Sequence, residues 1–486
     1  MNNKVSIPDF TGIENFKLYL DKSKLDVKQY QLEAVRWCVN NELNGVPINS
    51  SHVYGGLIAD EMGLGKTIQI IGTICCNPIL RTLIILPLVL LEQWIVIIKN
   101  TLGHNPIVYH GHNNKKNITL DILNNAPIVI TTYKMISSNK KNPYIENDIN
   151  SSSLLHHIKW NRLVFDEGHH LRNHKTRIFL GTKLLKSKIR WIITGTPIQN
   201  RYKDFLNLCD ILTIPEKYYK NNENLNYIKT NFIIRRTKKE VGIIIPELIK
   251  HVNSTNWQNS LEMNLSEQIH DSIKNAPPEL RLVAMIRARQ SCIYPKLFKL
   301  ADDLVMNKIF LNKKNKKKLL NYSSKLDEVF NKLKENKENN KKKLIFCHFR
   351  GEIDELEMRL IKEGFIVDKL DGRTSKKLRH HKLNKNTTNV LILQIQTACE
   401  GLNLQNYSEV YFIAPHWNPA VEEQAIARCH RIGQQNEVIV YRFYMSQFNK
   451  EEEKEEEKEE RKFSIDQYCQ NIQDRKRDDV KKLFIE

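Results

Sequence analysis

Short runs of valine, isoleucine and leucine alternate with helix-length stretches along most of this chain, and few architectures accept that pattern. In the first half the runs are GGLIAD (55–60), TLIILP (82–87), PIVITTY (127–133), RLVFDE (162–167) and RWIITG (190–195). A run such as RLVF is apolar at consecutive positions, so both faces of the strand need cover, which a parallel sheet between helices supplies. The rhythm resumes with KKLIFCHF (342–349) and a helix, GEIDELEMRLIKEG, that sets Ile353, Leu356 and Leu360 on one face. NVLILQI, SEVYFIA and EVIVYRFY follow. At 486 residues the chain is too long for one ordinary core. The expected fold class is α/β: a first lobe over 1–250 and a second over 341–447. Residues 251–340 read as a helical, basic connector without strands, carrying KKNKKK (313–318) and KENKENNKKK (334–343). Residues 448–486 read as an acidic spacer, EEEKEEEKEE at 451–460, and a C-terminal amphipathic helix with no chemistry of its own.

The formal net charge is +20 and the pI about 9.3. A surplus of that size points to a polyanionic partner, nucleic acid ahead of an acidic membrane surface; an overall bias towards Asn and Lys is the plainer source. Nine cysteines without a C-x-x-C pair suit buried thiols in a reducing, intracellular compartment, with no disulfide framework and no zinc module. The N-terminus MNNKVSIPDFTG has no apolar signal core. The longest apolar run, residues 82–98, is interrupted by Pro87, Glu92 and Gln93 and reads as strand, turn and helix rather than a membrane span.

ADEMGLGKT (59–67) lies between an apolar strand and a helical stretch, the setting in which backbone N–H groups cradle phosphate. Gly63 and Gly65 permit close approach, Lys66 offers a point charge, and the Thr67 hydroxyl can ligate Mg²⁺. Asp60 stands where the strict pattern has glycine; the plain alternative is a glycine turn. RLVFDEGHH (162–170) ends a strand with two carboxylates. Asp166 suits Mg²⁺ and Glu167 suits orienting and deprotonating a water, unless the pair merely caps the next helix. His169, His170 and His174 cluster here, but HLRNH lacks the glutamate of the H-E-x-x-H zinc pattern. Thr194 and Thr196, in WIITGTPIQN, are candidates for bonding the metal-site carboxylates. Arg428 and Arg431, three apart in a stretch that reads as helix, would share a face and act on one anion.

Taken in order, DEMGLGKT, DEGH, TGTPIQN, FIIRRTKKEV, HWNPA and EEQAIARCHRIGQ resemble the Swi/Snf-type ATPases of helicase superfamily two. YQLEAVRW (30–37) is similar to that family's opening motif, and ILPLVLLEQW (85–94) and VITTY (129–133) to its first-lobe DNA-contact motifs; the likeness runs from about 28 to 446. It implies two RecA-like lobes with ATP and Mg²⁺ between them. It also implies cofactor contacts from Gln31, reading adenine, from the loop residues Asp60, Glu61, Met62, Gly63, Leu64, Gly65, Lys66 and Thr67, and from Gly401. Gly168, His169, Thr194, Thr196 and Gln424 would couple the lobes, Arg428 and Arg431 would be arginine fingers, and Thr132, Arg373 and Trp417 would contact DNA. A buried core aromatic is the alternative for Trp417. TACEGLNLQ (397–405) departs from the pattern, with Cys399 and Glu400 where many relatives have glycines. DEGH resembles the DNA-repair translocases that include the helicase-like transcription factor, but a connector holding only Cys292 cannot form their RING.

The resemblance implies an ATP-driven translocase on double-stranded DNA that remodels or displaces bound protein, nucleosomes among them. The alternative enzyme is a strand-separating helicase on DNA or RNA. A DNA-binding scaffold with a decayed nucleotide site is disfavoured by the presence of Lys66, Asp166, Glu167, Arg428 and Arg431. A nucleus and a cytoplasmic viral replication site are both compatible settings.

Overall fold

The computed structural model describes residues 12–111, 117–138, 153–195, 202–297, 322–383, 387–398, 402–448 and 463–484. The chain divides into two compact units, the first essentially up to Ile244 and the second from Ile245 to Asp478.

The first unit is built on a sheet of eight strands: β1 (Val46–Ile48), β2 (Ser51–Ile58), β3 (Thr82–Leu86), β4 (Ile107–Tyr109), β5 (Ile128–Thr132), β6 (Lys159–Asp166), β7 (Lys186–Ile193) and β8 (Ile233–Ile234). Their spatial order is β1-β2-β7-β6-β3-β5-β4, with β8 also on β2. Only β1 is antiparallel to its neighbour. β3 and β5 are buried at every position, threonines included, as strands covered on both faces are. Separate apolar clusters cover the two faces, one around Leu57, Phe165 and Phe232, the other around Ile58, Trp94 and Trp191. Residues 82–98 form β3, a short 3₁₀ turn (Leu88–Leu90) and the start of the helix Leu91–Leu102. Among the described residues no helix is long and apolar enough to cross a membrane.

The second unit holds β9 (Leu248–Thr255), β10 (Lys343–Cys347), β11 (Val367–Leu370), β12 (Val390–Gln394), β13 (Glu409–Phe412) and β14 (Val438–Met445). All are parallel, in the order β11-β12-β10-β13-β14-β9. Two parallel-sheet lobes in one chain are the expected α/β class.

The stretch expected to be a strandless connector from 251 departs from that reading. β9 is an edge strand paired along its whole length with β14, so the second unit begins before residue 250. β9 escapes notice because Lys250, His251, Asn253 and Ser254 on its two faces dilute the apolar signal. The helices Ser260–Asn275, Pro278–Ile293 and Ser324–Glu335 are packed parts of the same unit. Leu326, Val329 and Leu333 share a buried face, and Lys325 and Asp466 form a wholly buried ion pair. That pair also gives the C-terminal helix Ile465–Phe484 a structural task, reinforced where Gln473 donates to the His416 carbonyl (2.6 Å) and Glu422 (2.7 Å). Residues 313–318 and the acidic run 451–460 lie outside the described residues.

Candidate nucleotide site

β2, β7 and β6 lie side by side and point their carboxyl ends the same way, the end at which open parallel sheets take ligands. From β2 the chain enters ADEMGLGKT, and the helix Lys66–Cys76 starts directly behind the glycines. Gly63 (φ +93°) and Gly65 (φ +76°) are in the left-handed region, which lets successive N–H groups face one concavity. A Cβ on Gly65 would come within 2.5 Å of Gln31 Nε2, whose side chain would have to shift, and the φ of +76° would strain any other residue there. Lys66 Nζ donates to the carbonyl oxygens of Asp60 (2.7 Å) and Glu61 (3.3 Å). Thr67, the next residue, is half-buried in the first helical turn.

Asp166 ends β6 and is buried. Its carboxylate accepts from Trp94 Nε1 (2.7 Å) and from the Glu167 N–H (2.9 Å), and its carbonyl accepts from the Tyr133 hydroxyl (2.7 Å). Burial, followed by the adjacent Glu167 carboxylate, pushes the Asp166 carboxyl up to about 7, while Trp94, the Glu167 N–H and Lys66 pull it down. Lys66 is therefore near enough for its charge to be felt at Asp166. Glu167 occupies a left-handed conformation (φ +51°), and its carboxylate lies 3.2 Å from His169 Nδ1. Burial and then His169 hold the His170 ring down to about 4. A Cβ on Gly168 would strike Ile192 Cγ2 at 2.3 Å, so packing against β7 is what requires glycine there.

β7 delivers Thr194 between these two groups; it is buried, and its N–H donates to the Ile58 carbonyl (3.0 Å). Gly195 faces Lys66, since a Cβ there would be 3.5 Å from Nζ and 2.8 Å from Met62 Cγ. Thr196, like Gly401 and the Cys399–Glu400 departure, lies outside the described residues.

Several expected roles do not match the geometry. Gln31 is buried and donates to the Leu64 carbonyl (3.2 Å), bracing the loop rather than standing open to a base. Asp60 is fully buried and tied to Arg236 and Gln69, leaving it no face for a nucleotide. Thr132 is 3% exposed with its hydroxyl 3.1 Å from His110 Nδ1, an inward position that offers nothing to a duplex. Trp94 and Tyr133, which reach Asp166 from the two stretches resembling DNA-contact motifs, are functional candidates that sequence reading missed; an aromatic ending each motif was the available signal.

In the second unit the helix Pro419–Ile426 stops before the arginines, so helical spacing is not what unites them. A tight turn follows, with the Arg428 N–H on the Ala425 carbonyl (3.2 Å) and the Arg431 N–H on that of Cys429 (3.1 Å). The buried, apolar Cys429 anchors the turn between them. Burial and then the nearby Arg428 charge lower the Arg431 pKa, the mark of two guanidinium groups held close together. Gln424 is buried, with no hydrogen-bond partner for its amide nitrogen among the described residues. Arg373 is paired with Asp354 (2.8 Å) and Asp371 (2.5 Å), so a phosphate has to compete with two carboxylates. Trp417 packs at the rim of a small core with Leu265, Ile269 and Cys292, under the Arg289 guanidinium at 5.6 Å, which is nearer the core-aromatic alternative.

A glycine loop with its lysine, facing paired carboxylates two strands away in one parallel sheet, defines a P-loop nucleotide-binding lobe. Residues 30–343 match the SNF2-related domain and 323–433 the helicase conserved C-terminal domain. The chain belongs to the SNF2-related family. It is 28% identical to the ATP-dependent DNA helicase DDM1 of Arabidopsis thaliana, over 87% of this chain and 59% of that protein. It is 26% identical to the probable global transactivator of Orgyia pseudotsugata multicapsid polyhedrosis virus, over 94% of this chain and 91% of that protein. Identity to the ISWI chromatin-remodeling complex ATPase ISW2 of Saccharomyces cerevisiae is 27%, over 91% of this chain and 40% of that protein. A solved SWI2/SNF2 ATPase core of Sulfolobus solfataricus in complex with dsDNA aligns at 24% identity and a TM-score of 0.39, covering 87% of this chain and 88% of that one.

Proposed function

We propose that this chain is an ATP-driven translocase on double-stranded DNA that remodels or displaces bound protein. The observation that carries the reading is the convergence of Lys66, Thr194 and the Asp166–Glu167 pair on the carboxyl ends of three neighbouring strands. In this assignment Lys66 leaves the Asp60 and Glu61 carbonyls for the β- and γ-phosphates, and Glu167 orients and deprotonates the attacking water. Arg428 and Arg431 neutralise charge that develops on the phosphoryl group. The site's chemistry suits Mg²⁺: Thr67 and Asp166 would hold it, where it would screen phosphate charge, and a buried carboxyl whose pKa is raised by burial and by a second carboxylate beside it is a good place for a cation. The remodelling relatives and the net charge of +20 support duplex DNA and nucleosomes as partners, in a nucleus or at a viral replication site. The finer likeness to DNA-repair translocases rests on residues 166–169 alone.

Within this reading Trp94 holds the Asp166 carboxylate in place. Trp94→Phe preserves the buried ring and removes one hydrogen bond to a charged group, so turnover at saturating ATP should fall roughly tenfold or more. Parental turnover in a normally folded Trp94→Phe protein would remove the residue from the site.

A strand-separating helicase is the second enzyme reading. It needs a wedge and a single-strand channel, commonly lined with stacking aromatics. Residues 251–340, the stretch expected to hold such an accessory element, are rich in lysine and asparagine, and the described strand and helices there are packed parts of the second unit. Lysines follow phosphates without reading bases, which suits an intact duplex. With ATP, the protein is expected to displace the third strand of a DNA triplex and to leave a forked duplex paired. Unwinding of the fork without triplex displacement would give the case to the helicase.

A further inference from the structure

The phosphate loop is fastened to a segment 176 residues further along the chain. β8 extends β2 by hydrogen bonding at Ile233 and Ile234, and the chain beyond β8 keeps alongside the entry to the loop. The Ala59 N–H donates to the Ile234 carbonyl (2.8 Å) and the Glu61 N–H to the Arg236 carbonyl (2.9 Å). Side chains continue the pattern. Asp60 accepts from the Arg236 N–H (2.9 Å), Arg236 Nε (3.1 Å), Arg236 Nη2 (2.6 Å) and Gln69 Nε2 (2.8 Å), which satisfies both carboxylate oxygens. The Glu61 carboxylate accepts from the Lys238 N–H (2.8 Å) and lies 3.1 Å from Lys238 Nζ. Arg236 also donates to the Tyr30 carbonyl (2.5 Å), its guanidinium lying 5.4 Å from the Tyr30 ring, and the next residue, Gln31, braces the loop at Leu64.

We infer that Arg236 is a positioning residue for the nucleotide site, holding residues 60 and 61 in register so that their carbonyls and the loop behind them present Lys66 to phosphate. The inference rests on the proposed nucleotide reading of that loop. Arg236 touches none of the reacting groups; it acts through Asp60 and Tyr30. The arginine geometry matters, because Nε and Nη2 address the two carboxylate oxygens separately while Nη1 reaches Tyr30, a three-way fork that a lysine cannot reproduce. The segment is also the last described part of the first unit before the chain passes into the second at residue 245.

The test uses the full chain and steady-state ATP hydrolysis with saturating duplex DNA, alongside thermal melting. Arg236→Lys is expected to raise KM for ATP about ten- to a hundredfold, the scale of a small displacement of a binding group. The kcat should stay within about threefold of the parent, because the hydrolytic carboxylates are untouched. The neutral pair Asp60→Asn with Arg236→Gln keeps hydrogen-bonding groups without leaving a buried charge, and should show the same split if Arg236→Lys does not fold. Melting temperatures lowered at parental KM, in either variant, would make the contact structural glue and overturn the inference. A parent chain without any ATP hydrolysis would instead overturn the reading of the site itself, so the two failures are distinct.

Discussion

Glu167→Gln is expected to bind ATP as the parent does and to hydrolyse it about 10²- to 10⁴-fold more slowly, the usual worth of a positioned general base. The substitution is nearly isosteric and leaves Lys66, the glycine loop and Asp166 in place. Glu167 also sits at φ +51°, a region a non-glycine residue enters only at a cost on the order of 1–3 kcal/mol. Such strain persists where the surroundings enforce it, and here the turn is enforced by Gly168 packed on Ile192 and by the Asp166 carboxylate accepting the Glu167 N–H. Nucleotide binding followed by a fluorescent ATP analogue, together with single-turnover hydrolysis, separates the two effects. Turnover at the parental rate would take the base role from this residue.

Arg428→Ala and Arg431→Ala should each reduce turnover by about 10³- to 10⁵-fold, with duplex affinity nearly unchanged. Burial and then the Arg428 charge lower the Arg431 pKa, so the two guanidinium groups are close enough to serve one anion. That makes them one device, so the double variant should cost far less than the product of the single effects. Strictly multiplicative losses in the double-mutant cycle would show two separate tasks. A large loss of duplex affinity would move the pair from hydrolysis to DNA contact.

Much of the nucleotide lobe was legible because its chemistry is local. The loop, its lysine, the carboxylate pair and the threonine turn each lie within a few residues of an apolar strand, and parallel strands bring their ends together. What escaped was set by partners distant in sequence. Asp60 looked like a loop residue until Arg236 was seen to occupy it, and Trp94 had no assigned role until its ring nitrogen met Asp166, 72 residues away. The family resemblance implies a DNA contact for Thr132, yet it ends a strand buried at every position. The arginine pair was recognised for an incorrect reason, since the turn around Cys429, and not helical spacing, makes them neighbours. The helices between 260 and 335 were expected, but charge runs concealed that Ser260–Asn275 and Ser324–Glu335 each bury an apolar face in the second unit.

The pairing of β9 with β14 sets a timetable for synthesis. β9 starts at Leu248, and β14, its hydrogen-bonded neighbour, starts at Val438. At ~5–20 residues per second a ribosome needs about 10–40 s to span that interval. Throughout it the nascent chain carries an eight-residue strand whose partner has not yet been made. Long unpaired strands are templates for pairing with other chains. Release of the chain before Val438 therefore yields not a smaller enzyme but an open edge, and shortened copies should leave solution by joining one another there.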